Sequence, residues 1–322
     1  MNSIGRYFRI ALFGESHGET IGIIVDGVKA GIKLSAEDFT TDLSRRKPGK
    51  EGTTGRIEDD IPRIVSGVYN GFTTGAPISI LFDNHNVKSR DYDFIREFWR
   101  PGHADFPAEK KFGGFNDPRG GGHFSGRLTL SIVAAGVIAK KVLHGVTIES
   151  KILQIHGSAN WENEITIAKQ RNDSVGGIVE CRVDGLPVGL GEPFFDSVES
   201  VISHIIFSIP AIKGIEFGSG FASALMYGSE FNDVYLDADG HTLTNHSGGV
   251  LGGLSTGNSL IFRVAVKPTS SIGIPQTTYN KQSGNIESLT LEGRHDTCIV
   301  LRVPVVLEAA TAIALADLWL AQ

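Results

Sequence analysis

A chain of 322 residues is long enough for two domains, or for one large domain built of two similar halves. Its 41% hydrophobic and 20% charged residues exclude a disordered chain, and no run of eighteen apolar residues marks a membrane span. A net charge of −6 argues against nucleic acid as a partner, so any anion must be met by local clusters of Arg, Lys and backbone N–H groups.

Taken in chain order, Phe8–Phe13 reads as a strand with Phe8, Ile10 and Leu12 on one face. A loop follows at Gly14-Glu15-Ser16-His17-Gly18, and Ile21–Val25 reads as the next strand. Ser35-Ala36-Glu37-Asp38 makes a capping box, with Leu34 and Phe39 as a hydrophobic staple. That helix carries Leu43 and stops after Arg45-Arg46-Lys47 at Pro48-Gly49, its cations suiting the helix dipole. Strands are predicted at Pro62–Ser66 and Ile78–Phe82, and a short helix at Tyr92–Trp99.

Gly126–Leu143 is a helix apolar almost all round until Lys140-Lys141, which requires cover on both sides. Strands are expected at Val146–Ile155 and Gly177–Val183, then a helix from Val198 that keeps its spacing to Ile209 and stops at Pro210. Strands Leu260–Val266 and Ile299–Val303 precede a terminal helix, Val305–Leu320. Strands come in runs separated by a few helices, which predicts an α+β fold with helices layered between sheets. The two halves show a loose parallel of strand pairs, a glycine-rich stretch and a buried helix, without a fixed period. The polar Ser158–Asn172 stretch is the one plausible linker, and no clean domain boundary is visible.

The cysteines, Cys181 and Cys298, have neither metal nor redox spacing, which fits a reducing compartment. Met1–Leu12 carries Arg6 and Arg9 with no apolar run after them and does not read as a secretory signal. Glycine is in excess: 40 residues, about 12% against roughly 7% on average. The clusters Gly113-Gly114, Gly120-Gly121-Gly122, Gly248-Gly249 and Gly252-Gly253 suggest tight loops against ligands or strands.

Five segments could carry chemistry. His17, between glycines in a strand-to-strand loop, is placed to meet a ligand and move a proton near neutral pH, although a plain surface histidine is the commoner outcome. In Arg100-Pro101-Gly102-His103-Ala104-Asp105, Arg100 offers a forked anion donor and Asp105 could orient His103; a helix end followed by a capped turn would give the same sequence. Arg119-Gly120-Gly121-Gly122-His123-Phe124-Ser125-Gly126-Arg127 runs into the buried helix and combines free backbone, a capping Ser125 and two arginines, which favours an anion site. Lys267-Pro268-Thr269-Ser270-Ser271 offers one cation and three hydroxyls at a bend, a composition also found in plain turns. In Arg294-His295-Asp296, Asp296 is a candidate base or a salt-bridge partner of Arg294, the latter being more common. Walker A, G-x-S-x-G, His-Glu-x-x-His and strand-bound G-x-G-x-x-G patterns are missing, so hydrolase, kinase and dinucleotide readings lose support.

These motifs, in this order, resemble the chorismate synthase family from end to end. The resemblance rests on Gly14–Gly18, Val25-Asp26-Gly27, Arg45–Gly49, Ser66-Gly67-Val68, Thr73-Thr74-Gly75, Arg100–Asp105 and Arg119–Gly122. It continues through Gly189-Leu190-Gly191-Glu192-Pro193, Gly248–Gly253, Lys267–Ser271 and Gly293–Asp296. It implies one domain over residues 1–322, helices sandwiched between antiparallel sheets, a cytoplasmic homotetramer, and conversion of 5-enolpyruvylshikimate 3-phosphate to chorismate and phosphate. The reaction requires reduced FMN without net redox change.

By matching position, the resemblance implies that His17 protonates the departing phosphate, His103 stabilises the anionic reduced flavin, and Asp296 works with the flavin in removing the ring proton. Arg46, Arg127 and Arg294, with Ser16 and Ser125, are implied to bind the substrate's phosphate and carboxylates. His123, Ser125, Ala211, Gly252, Arg294 and the Lys267, Pro268, Thr269, Ser270, Ser271 loop are implied to hold the flavin. No metal is implied. His123 departs from the family pattern, which has Arg there, and the Ser158–Asp173 region is short for the family. Three other readings make different demands. A non-catalytic binder of phosphorylated metabolites would keep the anion loops without needing His17 or His103. A flavin oxidoreductase would consume one reduced flavin per product. A nucleic-acid protein would need a basic balance this chain lacks. No reductase domain is visible, so flavin reduction is expected from an external source.

Overall fold

The computed structural model describes residues 2–49, 51–56, 58–86, 94–95, 97–291 and 295–322. The N-terminal half contributes β1 (Ser3–Ile4), β2 (Arg9–Gly14), β3 (Thr20–Asp26), α1 (Thr40–Arg46), β4 (Arg63–Ser66), β5 (Val68–Tyr69), β6 (Phe72–Thr73), β7 (Ile78–Asp83), α2 (Asp105–Phe112) and α3 (Thr129–Val142). The C-terminal half contributes β8 (Thr147–Ile155), α4 (Glu162–Gln170), β9 (Gly177–Asp184), α5 (Val198–Ile206), β10 (Ile212–Phe217), α6 (Gly228–Phe231), β11 (Val250–Leu251), β12 (Leu254–Ser255), β13 (Leu260–Val266), β14 (Gln276–Tyr279), β15 (Ile286–Leu289) and α7 (Val303–Ala321).

Two antiparallel sheets carry the architecture, ordered β1-β2-β3-β7-β4 and β10-β13-β9-β8. Alternation sets their inner faces: Ile21, Ile23 and Val25 on β3, and Val179, Cys181 and Val183 on β9, are wholly buried. Helix α3 packs on β2 and β3, α7 packs on β8 and β9, and the two helices pack on each other between the sheets. The α+β class expected from the sequence is the one observed.

A helix clad on both sides must be apolar all round, which is why α3 and α7 have almost no polar face. They approach closely at Gly136, where a Cβ would lie 2.3 Å from the Cβ of Ala309. The stretch Ile299–Ala321 is long and apolar enough to cross a membrane, yet most of it is buried inside the protein. One fully buried carboxylate interrupts it. Glu308, 2% exposed, accepts both Arg45 guanidinium nitrogens at 2.6 and 2.7 Å, Lys140 Nζ at 3.4 Å and the Ser150 N–H at 3.0 Å. Those donors offset the desolvation of the buried charge.

The strand predicted at Ile299–Val303 is instead a 3-10 turn, Ile299–Arg302, leading straight into α7. A short β-branched run has no periodicity of its own, and here Pro304 opens the helix and Val300 and Val303 are buried beneath it. The Tyr92–Trp99 helix reduces, among described residues, to one turn: the Phe94 carbonyl accepts the N–H groups of Glu97 and Phe98, and Phe98 bridges to Asn280. Tyr92, Asp93 and Arg96 lie outside the described residues. The Ser158–Asn172 stretch is no linker; it holds α4, whose Ile165 and Ala168 are buried in the main core.

Candidate functional site

The loops at one side of this sandwich enclose a cavity of about 540 Å³. Ser16 and His17 reach it because β2 ends in a turn, Gly18 N–H to Glu15 C=O at 3.1 Å, and the Ser16 N–H donates to the Gly122 carbonyl at 3.1 Å. The three glycines of the Arg119–Phe124 turn all have positive φ. At Gly120 a Cβ would lie 2.6 Å from both His17 Nε2 and Ser16 Oγ, and at Gly121 one would lie 3.6 Å from His103 Nε2. The glycine run thus lies against both histidines, and a side chain at Gly120 would displace His17 and Ser16.

His103 sits in a locked turn. Asp105 accepts Arg100 Nε and Nη2, each at 2.7 Å, the Arg100 backbone N–H at 3.1 Å, and His103 Nδ1 at 2.6 Å. A carboxylate at that distance requires the proton on Nδ1, which leaves Nε2 for the cavity. Burial pushes the Asp105 carboxyl up, but the hydrogen bonds from Arg100 and His103 outweigh it and hold it well below the usual range. Burial and the adjacent Arg100 lower His103, with Asp105 opposing. Asp105 therefore orients His103, one of the two outcomes open from the sequence, and it does so as the first residue of α2.

Across the cavity, buried Arg46 and Arg127 flank Asp60: Arg46 Nη2 lies 3.2 Å from it and Arg127 Nη1 also donates to it. Arg46 Nη1 reaches Thr129 Oγ1 at 3.4 Å and Arg127 Nε donates to Asn84 at 3.0 Å. Burial, then the charge of Arg302, lowers the Arg46 guanidinium to about 9, still cationic at neutral pH. Arg46 Nε, Arg127 Nη2 and Thr269 Oγ1 are buried without a hydrogen-bond partner. Buried donors are rarely left so, which points to ligand atoms completing them.

The Lys267–Ser271 loop closes another wall. Lys267 Nζ donates to the Gly102 carbonyl at 2.9 Å, as does Ser270 Oγ at 2.6 Å, and Arg100 Nη1 donates to Ser271 Oγ at 3.3 Å. The Lys267 N–H binds the carbonyl of Ala211, a non-glycine residue held at φ +75 beside the cavity. Asp296 accepts the Thr54 N–H at 2.9 Å and Arg302 Nη1 at 3.3 Å, an ion pair with Arg302 among the described residues. Arg294 lies outside the described residues.

The cavity thus gathers Ser16, His17, Arg46, His103, His123, Ser125, Arg127, Ala211, Lys267, Pro268, Thr269, Ser270, Ser271 and Asp296. Gly252 is elsewhere, in the turn between β11 and β12. His123 is committed structurally: its ring nitrogens meet the Gly14 carbonyl at 3.1 Å and the Asn2 side chain at 2.9 Å. Ser125 Oγ accepts the Arg127 N–H at 3.3 Å, the cap expected of it.

Arg56, Glu58, Asp60 and Arg302 also line the cavity and were missed by sequence reasoning. Arg56 donates to Ser16 Oγ and the Ser16 carbonyl, each at 3.0 Å, and is held by Glu58. The available signal was a dense cluster of charges, Arg56, Glu58, Asp59 and Asp60, in a short segment between a glycine-rich turn and the next strand. Among the described lining residues, six Arg and Lys side chains against three carboxylates leave an excess of three positive charges inside a chain of net charge −6. Such a pocket suits an anionic ligand handled with proton transfer.

Residues 8–320 match the family model described as chorismate synthase. A chorismate synthase of Chitinophaga pinensis is 62% identical over 99% of this chain and 97% of its own length. One from Pyrococcus abyssi is 44% identical over 97% of this chain and 96% of its own. A solved structure titled as a crystal structure of chorismate synthase superposes with a TM-score of 0.73 at 26% identity, covering 98% of this chain and 92% of that one.

Proposed function

We propose, from the premise that this chain belongs to the chorismate synthase family and so converts 5-enolpyruvylshikimate 3-phosphate to chorismate and phosphate, that the cavity is where this carbon–oxygen lyase reaction takes place. The observation carrying the proposal is the convergence of His17, His103 and Asp296 on one cavity that also holds the unpartnered N–H groups of Arg46 and Arg127.

The elimination breaks a C–O bond and a C–H bond: phosphate leaves with the C–O electrons, a ring proton goes to a base, and a new C=C bond remains. His17, 8% exposed against the Gly120 wall, gives its ring proton to the departing phosphate oxygen. Arg46 and Arg127 donate to substrate phosphate and carboxylate oxygens, and Arg294 joins them by its motif position. The Ser16 hydroxyl accepts from Arg56, so its own proton is free to reach a substrate oxygen. Ser125 Oγ supports Arg127 through its cap. A carboxylate oxygen of Asp296, steadied by Thr54 and Arg302, takes the proton.

The family uses a flavin, and we take it to be reduced FMN, which when bound lends electron density to the breaking bond without net redox change. The donor set fits: buried Thr269 Oγ1 lacks a partner, Lys267 supplies a cation, and Phe207, Ile209 and Pro210 add an apolar wall. Ala211 and Ser270–Ser271 complete that side, His123 lines the same cavity, and Gly252, outside it, is assigned to the flavin through its motif alone. His103 turns Nε2 to the cavity, where an anion would favour its protonated form. We further assign a single-domain, cytoplasmic homotetramer whose flavin is reduced externally.

Anaerobic incubation with substrate and reduced FMN, following phosphate release, tests this. Loss of release in His17→Ala, His103→Ala and Asp296→Asn is expected; wild-type release from all three would defeat the assignment. NADPH with oxidised FMN is expected to give no turnover by the purified chain.

A further inference from the structure

Asp60 holds two guanidiniums with one carboxylate. Its side chain is 1% exposed, Oδ2 accepts Arg46 Nη2 at 3.2 Å, and Oδ1 accepts Arg127 Nη1. Thr129 and Asn84 engage one further nitrogen on each arginine. What remains unpartnered is one buried nitrogen on each side: Nε of Arg46, with one N–H, and Nη2 of Arg127, with two. A buried donor left unmade costs about 1–3 kcal/mol, so two in one cavity mark a place for ligand acceptors.

The backbone at Asp60 has φ +53, a left-handed conformation that only Gly, Asn and Asp visit readily. That conformation sets the carboxylate between the arginines at the end of the Arg56–Asp60 segment. Locally, two guanidiniums and one carboxylate leave a single positive excess. Without Asp60, two neighbouring cations in a desolvated wall repel each other and take other partners.

We propose that Asp60 is a positioning residue of the substrate site: it fixes the separation and tilt of Arg46 and Arg127 so that their remaining N–H groups meet one oxyanion of the substrate. The inference rests on the assignment of both arginines to substrate made above. Asp60 touches no reacting atom and acts only through the arginines it orients.

Asp60→Asn keeps the shape of the side chain and its tolerance of positive φ. KM for the substrate is expected to rise 10- to 100-fold with kcat within about 5-fold, and calorimetric substrate affinity in the absence of flavin should weaken by the same factor. Arg46→Gln and Arg127→Gln should each raise KM. Adding Asp60→Asn to Arg127→Gln should raise it little further, because the residues act as one unit. Asp60→Glu retains the charge but moves the carboxylate by one methylene, so it separates orientation from mere neutralisation and should also raise KM. Wild-type KM in both Asp60 variants, or effects that multiply fully in the double variant, would overturn the inference while the arginine assignment stands. If the arginine variants keep wild-type KM, the substrate assignment fails and the role of Asp60 falls with it.

Discussion

Asp105→Asn separates the two tasks that Asp105 performs. In the protein its carboxylate receives three N–H groups of Arg100 and one of His103, all among buried or half-buried atoms. Removing the charge leaves the Arg100 guanidinium buried without its counter-ion, and breaking such a pair costs about 3–5 kcal/mol. The asparagine oxygen can still accept from Arg100, which keeps the expected loss near 3 kcal/mol. The amide N–H then faces His103 Nδ1 and displaces the proton from it. An imidazolium at His103 loses a charge-assisted partner worth roughly 1.5–3 kcal/mol, or about 10- to 150-fold in kcat/KM.

The pH dependence has a definite sign. Asp105 has a depressed carboxyl in the folded protein, so its contribution is present throughout the neutral range and is lost only as pH falls through that low value. His103 is also depressed, but as a base it binds fewer protons folded than unfolded. It therefore costs stability below its unfolded value near 6.5, and more so as pH falls through the window down to its folded value. Asp105→Asn removes the group that raises His103 and deepens that window. Urea unfolding should show the variant destabilised at pH 7.5 and further destabilised at pH 5.5, and anaerobic phosphate release should show the kcat/KM loss. A variant within 3-fold of wild-type kcat/KM, with the same stability decrement at both pH values, would refute the reasoning.

Gly120→Ala places a methyl group 2.6 Å from His17 Nε2 in a backbone with φ +61, so phosphate release should fall at least 10-fold while the melting midpoint drops by only a few degrees, given about 1–2 kcal/mol of backbone strain. Glu308→Ala leaves Arg45 and Lys140 with Asp42 as their shared counter-ion; because of that and because Arg45 is 41% exposed, the cost should be about 2–4 kcal/mol by urea titration, with Glu308→Gln milder. Gly136→Ala drives a Cβ into Ala309 across the α3–α7 contact and should cost about 1–3 kcal/mol without changing KM, measured by thermal unfolding and steady-state kinetics.

What was legible in the sequence was whatever a residue's immediate neighbours decide. The alternation in β3, the apolar α3 and the Ser35–Asp38 capping box are local patterns, and each is present, with the Ser35 N–H on Asp38 at 2.8 Å. The loops carrying His17, His103, the glycine run and Lys267–Ser271 stood out because each gathers His, Arg, Lys or hydroxyl groups with Gly or Pro in a few consecutive residues, although each taken alone also fits a plain turn. Residues whose meaning comes from a partner far along the chain did not stand out. Arg56 gives no sign in the sequence of Ser16, 40 positions earlier, to which it donates, and Asp296 gives none of Thr54, 242 positions earlier, whose N–H it accepts. The same limit explains the misread strand at Ile299–Val303: an apolar run declares burial but not whether a sheet edge or a helix receives it.

The site is therefore made of two kinds of residue that the sequence reveals unequally. Groups that face the ligand sit on glycine-supported turns and announce themselves by composition. The groups that aim them, Asp105 for His103, Glu58 and Arg56 for Ser16, and Arg302 for Asp296, are charges neutralised by partners two to six positions away. Each of those pairs removes a net charge from the wall while fixing a direction, so the cavity keeps only a small positive excess despite its many ions. A pocket built from unpaired cations would hold anions more tightly in the ground state and release phosphate more slowly. Pairing most of the charges leaves a few directed N–H groups, which can distinguish the substrate's oxyanions by position rather than by charge alone.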